Sequence, residues 1–92
     1  MIVSWTHIAN ESVKGMLQGY KVFYRKLYED GNYTMITVDS LTLQTIISEN
    51  LIYTVIYEVR VAGFTNAGIG VMSESVAVQP GKAFSLMLQF SS

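Results

Sequence analysis

The sequence predicts an all-β fold, a two-sheet antiparallel sandwich, on three observations. Short runs alternate apolar and polar residues with period two, turn residues separate them at regular spacing, and no stretch carries a helical period. Met1 to Thr6 places Met1, Val3 and Trp5 on one face, as a half-buried strand does. Ala9 to Gly19 reads as a polar loop. Tyr20 to Arg25 alternates again, with Tyr20, Val22 and Tyr24 on one side. Glu29-Asp30-Gly31-Asn32 forms a turn, because Asp-Gly supplies the positive φ of a tight hairpin. Tyr33 to Val38 and Leu43 to Ile47 are the next strands. Tyr57 to Ala62 is the clearest alternation, apolar at odd positions with Glu58 and Arg60 between. Thr65 to Gly70 is a glycine-bearing turn, and Ser75 to Val78 is the sixth strand of the series.

A chain of 92 residues makes one domain. Half the residues are hydrophobic and 14% are charged, a composition that supports a packed core. There is no cysteine, which excludes disulfides and cysteine-based zinc sites, so the core must supply the stability. Net charge is −1 and the six Lys and Arg are scattered, which argues against nucleic-acid binding. No apolar stretch approaches the roughly 20 residues of a membrane span, so direct membrane insertion is not expected. Nor does a charged segment followed by a long apolar one open the chain, so no signal peptide is read in this fragment.

Several anchors together carry a family likeness. Ile2-Val3-Ser4-Trp5-Thr6 resembles the second strand of a fibronectin type III domain with its buried tryptophan, and Gly19-Tyr20-Lys21-Val22-Phe23-Tyr24-Arg25 its third. Leu51, followed six residues on by Tyr57 and then Glu58-Val59-Arg60-Val61, resembles the tyrosine corner and sixth strand. Thr65 to Gly70 with Ser73-Glu74 resembles the loop and start of the last strand. The resemblance implies an immunoglobulin-like sandwich over residues 1–80 with Trp5, Tyr20, Val22, Tyr24, Leu51, Tyr57, Val59 and Val61 in its structural core. A corner tyrosine buries its ring while its hydroxyl bonds back to upstream backbone, which pins the crossover between the sheets.

Three departures stand out. Tyr53 and Val55 occupy the corner places where the family usually has proline and threonine, which implies a looser corner. The family's first strand, which precedes the tryptophan strand, is absent from this chain. Residues 81–92 form an extension past the module's usual end. In it Phe84, Leu86, Leu88 and Phe90 share one face after the turn dipeptide Pro80-Gly81. Burying those four side chains contributes roughly 6–12 kcal/mol. Ordering nine residues costs on the order of 9–18 kcal/mol. The segment therefore needs a sheet edge. The vacancy beside the Trp5 strand offers one, filled within one chain or by swapping between two, which makes a homodimer through the tail a candidate. Extension of the other sheet and an unstructured tail are the alternatives.

Chemistry is sparse. His7 is the only histidine, no Gly-x-Ser-x-Gly elbow occurs, Asp30-Gly31-Asn32 lacks the spaced carboxylates of a calcium loop, and Gly68 and Gly70 precede no helix. No catalytic residue, metal site or cofactor is expected, and no enzyme activity. No Arg-Gly-Asp triplet is present. Asn10-Glu11-Ser12 and Asn32-Tyr33-Thr34 are N-glycosylation sequons in loops, which makes Asn10 and Asn32 candidate acceptors and favours a secreted context.

By alternation the outer face of the sheet holding the third and sixth strands exposes Lys21, Phe23, Arg25, Glu58, Arg60, Ala62 and Phe64. Phe23, Arg25, Arg60 and Phe64 are the candidate binding residues, since arginine beside an aromatic is hot-spot composition. The resemblance implies a non-catalytic interaction or spacer module of an extracellular adhesion or receptor protein, with protein partners and neighbouring domains of a larger chain. The alternatives are a passive module of an intracellular muscle-type protein and an accessory domain of a carbohydrate-processing enzyme.

Overall fold

The computed structural model describes residues 1–6, 17–28, 31–48, 51–70, 72–81 and, as backbone, 83–86. They form β1 (Ile2–Trp5), β2 (Gly19–Lys26), β3 (Thr34–Asp39), β4 (Gln44–Ile46), β5 (Tyr57–Thr65), β6 (Gly68–Ile69), β7 (Val76–Val78) and β8 (Ala83–Leu86). Two sheets result. One is ordered β4-β1-β8. The other is ordered β3-β2-β5-β6, with β7 also on β5. All pairings are antiparallel except that of β1 with β8, which is parallel and sets Ile2 opposite Ala83 and Trp5 opposite Leu86.

The core lies between the sheets and is built by the expected period of two. Val3 and Trp5 from β1 meet Tyr20 and Val22 from β2 and Tyr57, Val59 and Val61 from β5, all buried. The rings of Trp5 and Tyr20 lie 5.5 Å apart at a tilt of 56°, an arrangement that favours aromatic pairs. Tyr24 and Leu51 are half-buried and pack against this cluster from its margin. Met1, Leu17, Ile47 and Val78 complete it. Leu17 sits at the end of the segment read as polar loop, and the adjacent Gln18 N–H donates to the Phe64 carbonyl at 2.9 Å. Residues 9–16 of that segment lie outside the described residues, as do residues 7 and 8.

The tyrosine corner forms with the residues this chain has. The Ile52 N–H donates to the Tyr57 hydroxyl oxygen at 2.9 Å, and the Val55 N–H donates to the Ile52 carbonyl at 3.0 Å. These two bonds close the turn that carries the chain from Leu51 into β5.

The last edge of the second sheet is interrupted between β6 and β7, and Ser73 bridges the gap. Its N–H donates to the Val61 carbonyl at 2.8 Å, and its Oγ accepts from the Val61 N–H at 2.9 Å. A side chain thus satisfies a central-strand donor that no ladder reaches. Beyond β7 the chain turns at Pro80–Gly81, where Gly81 takes φ 90°, a conformation that glycine alone adopts freely. The turn delivers β8 to the β1 edge of the other sheet.

Candidate functional site

The outer face of the five-stranded sheet brings the four candidate binding residues together. The β2–β5 register sets Phe23 opposite Arg60, Arg25 opposite Glu58, Lys21 opposite Ala62 and Gly19 opposite Phe64. Cross-strand partners share a face, so these side chains form two parallel columns. β3 adds a third, since Phe23 also pairs with Met35 and Lys21 with Thr37.

This face is more closed than alternation predicts. Glu58 is 9% exposed and Ala62 fully buried, whereas both were expected in solvent. Phe23, Arg25, Arg60 and Phe64 are each intermediate. Glu58 is engaged by Arg25 from the facing strand, and Ala62 lies opposite Lys21. Lys21, opposite Ala62, extends its ammonium to 4.8 Å from the Phe64 ring centroid and donates to Thr37 Oγ1 at 3.2 Å.

Arg25 is the most engaged residue of the cluster. Its Nε donates to Glu58 Oε1 in a salt bridge, and its Nη1 donates to the Gly31 carbonyl at 2.9 Å. Its guanidinium lies 4.3 Å from the Tyr33 ring centroid, within cation–π range. Tyr33 in turn meets Phe23 edge to face at 6.1 Å and 82°. The Glu58 carboxyl is held below its ordinary range, chiefly by the Arg25 hydrogen bond, with burial opposing and the Arg25 charge, a Tyr33 hydrogen bond and the Arg60 charge assisting. Tyr33 is a member of this cluster that alternation alone did not single out. The signal was its register position, one step beyond the Tyr24–Thr34 pair and hence opposite Arg25.

Arg60 differs. Its Nε is buried and has no hydrogen-bond partner among the described residues. A guanidinium presents five donors in a fixed fork, and Arg60 as a whole is partly exposed on this face, where an acceptor-bearing surface can meet it. Beside it stands Phe23, half-buried and anchored by Tyr33.

The other sequence candidates fall elsewhere. Asn32 is exposed at the entry to β3, whereas Asn10 lies outside the described residues. The tail residues Phe84 and Leu86 belong to β8, where the backbone is described, and Leu88 and Phe90 lie outside the described residues. Among the described residues, no three or more His, Asp or Glu gather in a way that could hold a metal ion. No helix among them is long and apolar enough to cross a membrane.

A two-sheet antiparallel sandwich with a buried tryptophan on its first strand and a tyrosine corner before its central strand defines an immunoglobulin-like β module. The chain belongs to the fibronectin type III domain family, whose profile matches residues 1–79. It is 34% identical over 74 residues to cell adhesion molecule DSCAM of Gallus gallus, covering 80% of this chain and 4% of that protein. It is 28% identical over 78 residues to cell adhesion molecule DSCAML1 of Homo sapiens, covering 85% of this chain and 4% of that protein. Protein sidekick-1 of Gallus gallus is 29% identical over 82 residues, covering 89% of this chain and 4% of that protein. The chain therefore corresponds to one small portion of each relative, a domain of the adhesion-molecule type.

Proposed function

We propose that this chain is a non-catalytic protein–protein interaction module of an extracellular adhesion or receptor protein, and that it meets its partner through the outer face of the five-stranded sheet. The observation that carries the reading is the partly exposed Arg60 guanidinium standing opposite the anchored Phe23 on one face. Similarity to domains of cell adhesion molecules supports the same role. The face is preorganised, because Arg25, Glu58, Tyr33 and Phe23 hold one another, so little side-chain entropy is lost on contact. The partner surface would carry carboxylates or free carbonyls, from a neighbouring domain or from another protein.

The β8 strand on the β1 edge supports a second contact. A strand held there by backbone pairing can come from the same chain or from a second copy, so a tail-exchanged homodimer is the companion reading.

The test uses the parent protein on cultured cells. An epitope tag placed in the exposed Gly68 turn is stained without permeabilisation, and aggregation of the expressing cells is scored for the unmodified, F23A and R60A forms. Surface staining with aggregation lost in the variants is the expected result. Staining only after permeabilisation rejects the extracellular role, and undiminished aggregation in both variants rejects the face.

A further inference from the structure

We infer that Asn32 is an N-glycan acceptor whose sugar guards the open edge of β3. The inference goes beyond the adhesion reading, since it concerns a modification site and a protected edge that border the proposed contact face.

The local chain suits an acceptor. Asn32 and Thr34 are exposed, and a Cβ at the neighbouring Gly31 would meet nothing within 4 Å. Tyr33, between them, is drawn to the sheet's outer face by Phe23 and Arg25. In an extended chain the residues on either side of it project the other way, so Asn32 and Thr34 share one side. Thr34 completes the Asn-x-Thr acceptor sequence two residues on. The step is a group transfer. Asn32 Nδ2 loses a proton and bonds to C1 of the first sugar of a lipid-diphosphate oligosaccharide, and the lipid diphosphate leaves.

The need for cover is visible in the topology. β3 ends the second sheet, and among the described residues no strand pairs on its far side. The other strands at sheet margins have two to four residues, whereas β3 has six. Shortness, lysine, proline and bulges are the usual means of blunting an edge. β3 reads Thr-Met-Ile-Thr-Val-Asp, with none of these and its one charge at the far end, and Met35 on it is 48% exposed. A glycan at Asn32 stands two residues before this edge and would exclude an incoming strand.

The experiment places the 92-residue chain behind a heterologous secretory leader in a eukaryotic host, so that acceptor chemistry is tested whether or not the parent protein is extracellular. Intact mass before and after peptide-N-glycosidase treatment is read for the N10Q, N10Q/N32Q and N10Q/T34A forms. N10Q is expected to keep one removable glycan, and both double variants to lose it. Peptide mapping of the unmutated chain after enzymatic release in heavy-oxygen water locates the label at Asn32 independently of how the variants fold. Secreted chain with unlabelled Asn32 overturns the acceptor assignment. Sedimentation equilibrium then compares the glycosylated and enzymatically deglycosylated chains. Removal of the sugar is expected to tighten self-association at least about tenfold, which is about 1.4 kcal/mol, and M35K is expected to abolish that gain. Pairing through the tail would be common to both forms and cancels in the comparison. Equal association with and without the glycan overturns the guarding role.

Discussion

Replacing Tyr57 by phenylalanine isolates the corner bond, because it removes one oxygen and leaves the ring. The ring is 4% exposed and part of the core, and the hydroxyl accepts the Ile52 N–H at 2.9 Å. Phenylalanine keeps the packing but leaves a part-buried backbone donor without its acceptor. The bond itself contributes about 0.5–1.5 kcal/mol net, and an orphaned donor costs about 1–3 kcal/mol when water cannot replace the partner. Ile52 is half-exposed, so the lower part of that range applies, about 1.5 kcal/mol. In a domain of this size that lowers the melting temperature by about 6–12 °C. Thermal unfolding followed by circular dichroism reads the shift. Tyr53→Phe is the control, since Tyr53 is 67% exposed and its change should stay within about 0.5 kcal/mol. A Tyr57→Phe protein that melts within a degree or so of the unmodified chain would show that the corner is held by ring packing alone.

Gly19→Ala is expected to cost about 3 kcal/mol or more in urea denaturation, because a Cβ there would lie 2.1 Å from the Val38 carbonyl oxygen and 2.8 Å from the Phe64 ring. The carbonyl belongs to the β2–β3 ladder and cannot move aside, so a smaller loss would mean that β3 pairs more loosely than described. Glu58 and Asp39 both titrate below their ordinary values, Glu58 chiefly through Arg25 and Asp39 chiefly through the Thr42 hydroxyl. A depressed carboxyl stabilises the fold at pH above its unfolded value, 4.5 for glutamate, and that contribution is lost as pH falls through the lower folded value. Stability should therefore decline in acid, and Glu58→Gln should flatten the decline. An unchanged acid limb would refute the Arg25 linkage. Removing residues 81–92 deletes the four register pairs of β1 with β8. At about 0.5–1.5 kcal/mol for each backbone bond lost, the melting temperature should fall, and unchanged melting would mean that β8 adds nothing to the fold.

The interior of this domain was legible because a strand's side-chain period is two and one face must leave water. Val3, Trp5, Tyr20, Val22, Val59 and Val61 alternate with polar residues in the sequence and are buried in the structure. The same rule failed on the outer face. Glu58 and Ala62 occupy polar-side positions and yet are covered; Arg25 on the neighbouring strand engages Glu58, and the long Lys21 stands opposite Ala62. Alternation assigns a side but knows nothing of the length of the side chain next door. Tyr33 escaped notice for a related reason. Its importance comes from standing opposite Arg25, a relation between strands that no single run of residues records.

The sequence by itself determined the strand class, the inward sets of β1, β2 and β5, the corner tyrosine and the sequon at Asn32. All of these are local facts, set by backbone period and turn chemistry over a few residues. Only the tertiary structure decided which strands are neighbours, that β8 runs parallel on β1, that Ser73 spans the gap beside Val61, and that the Arg60 Nε is left without an acceptor among the described residues. Those depend on pairings between segments far apart in the chain, whose register is fixed by mutual packing. No segment carries that information alone.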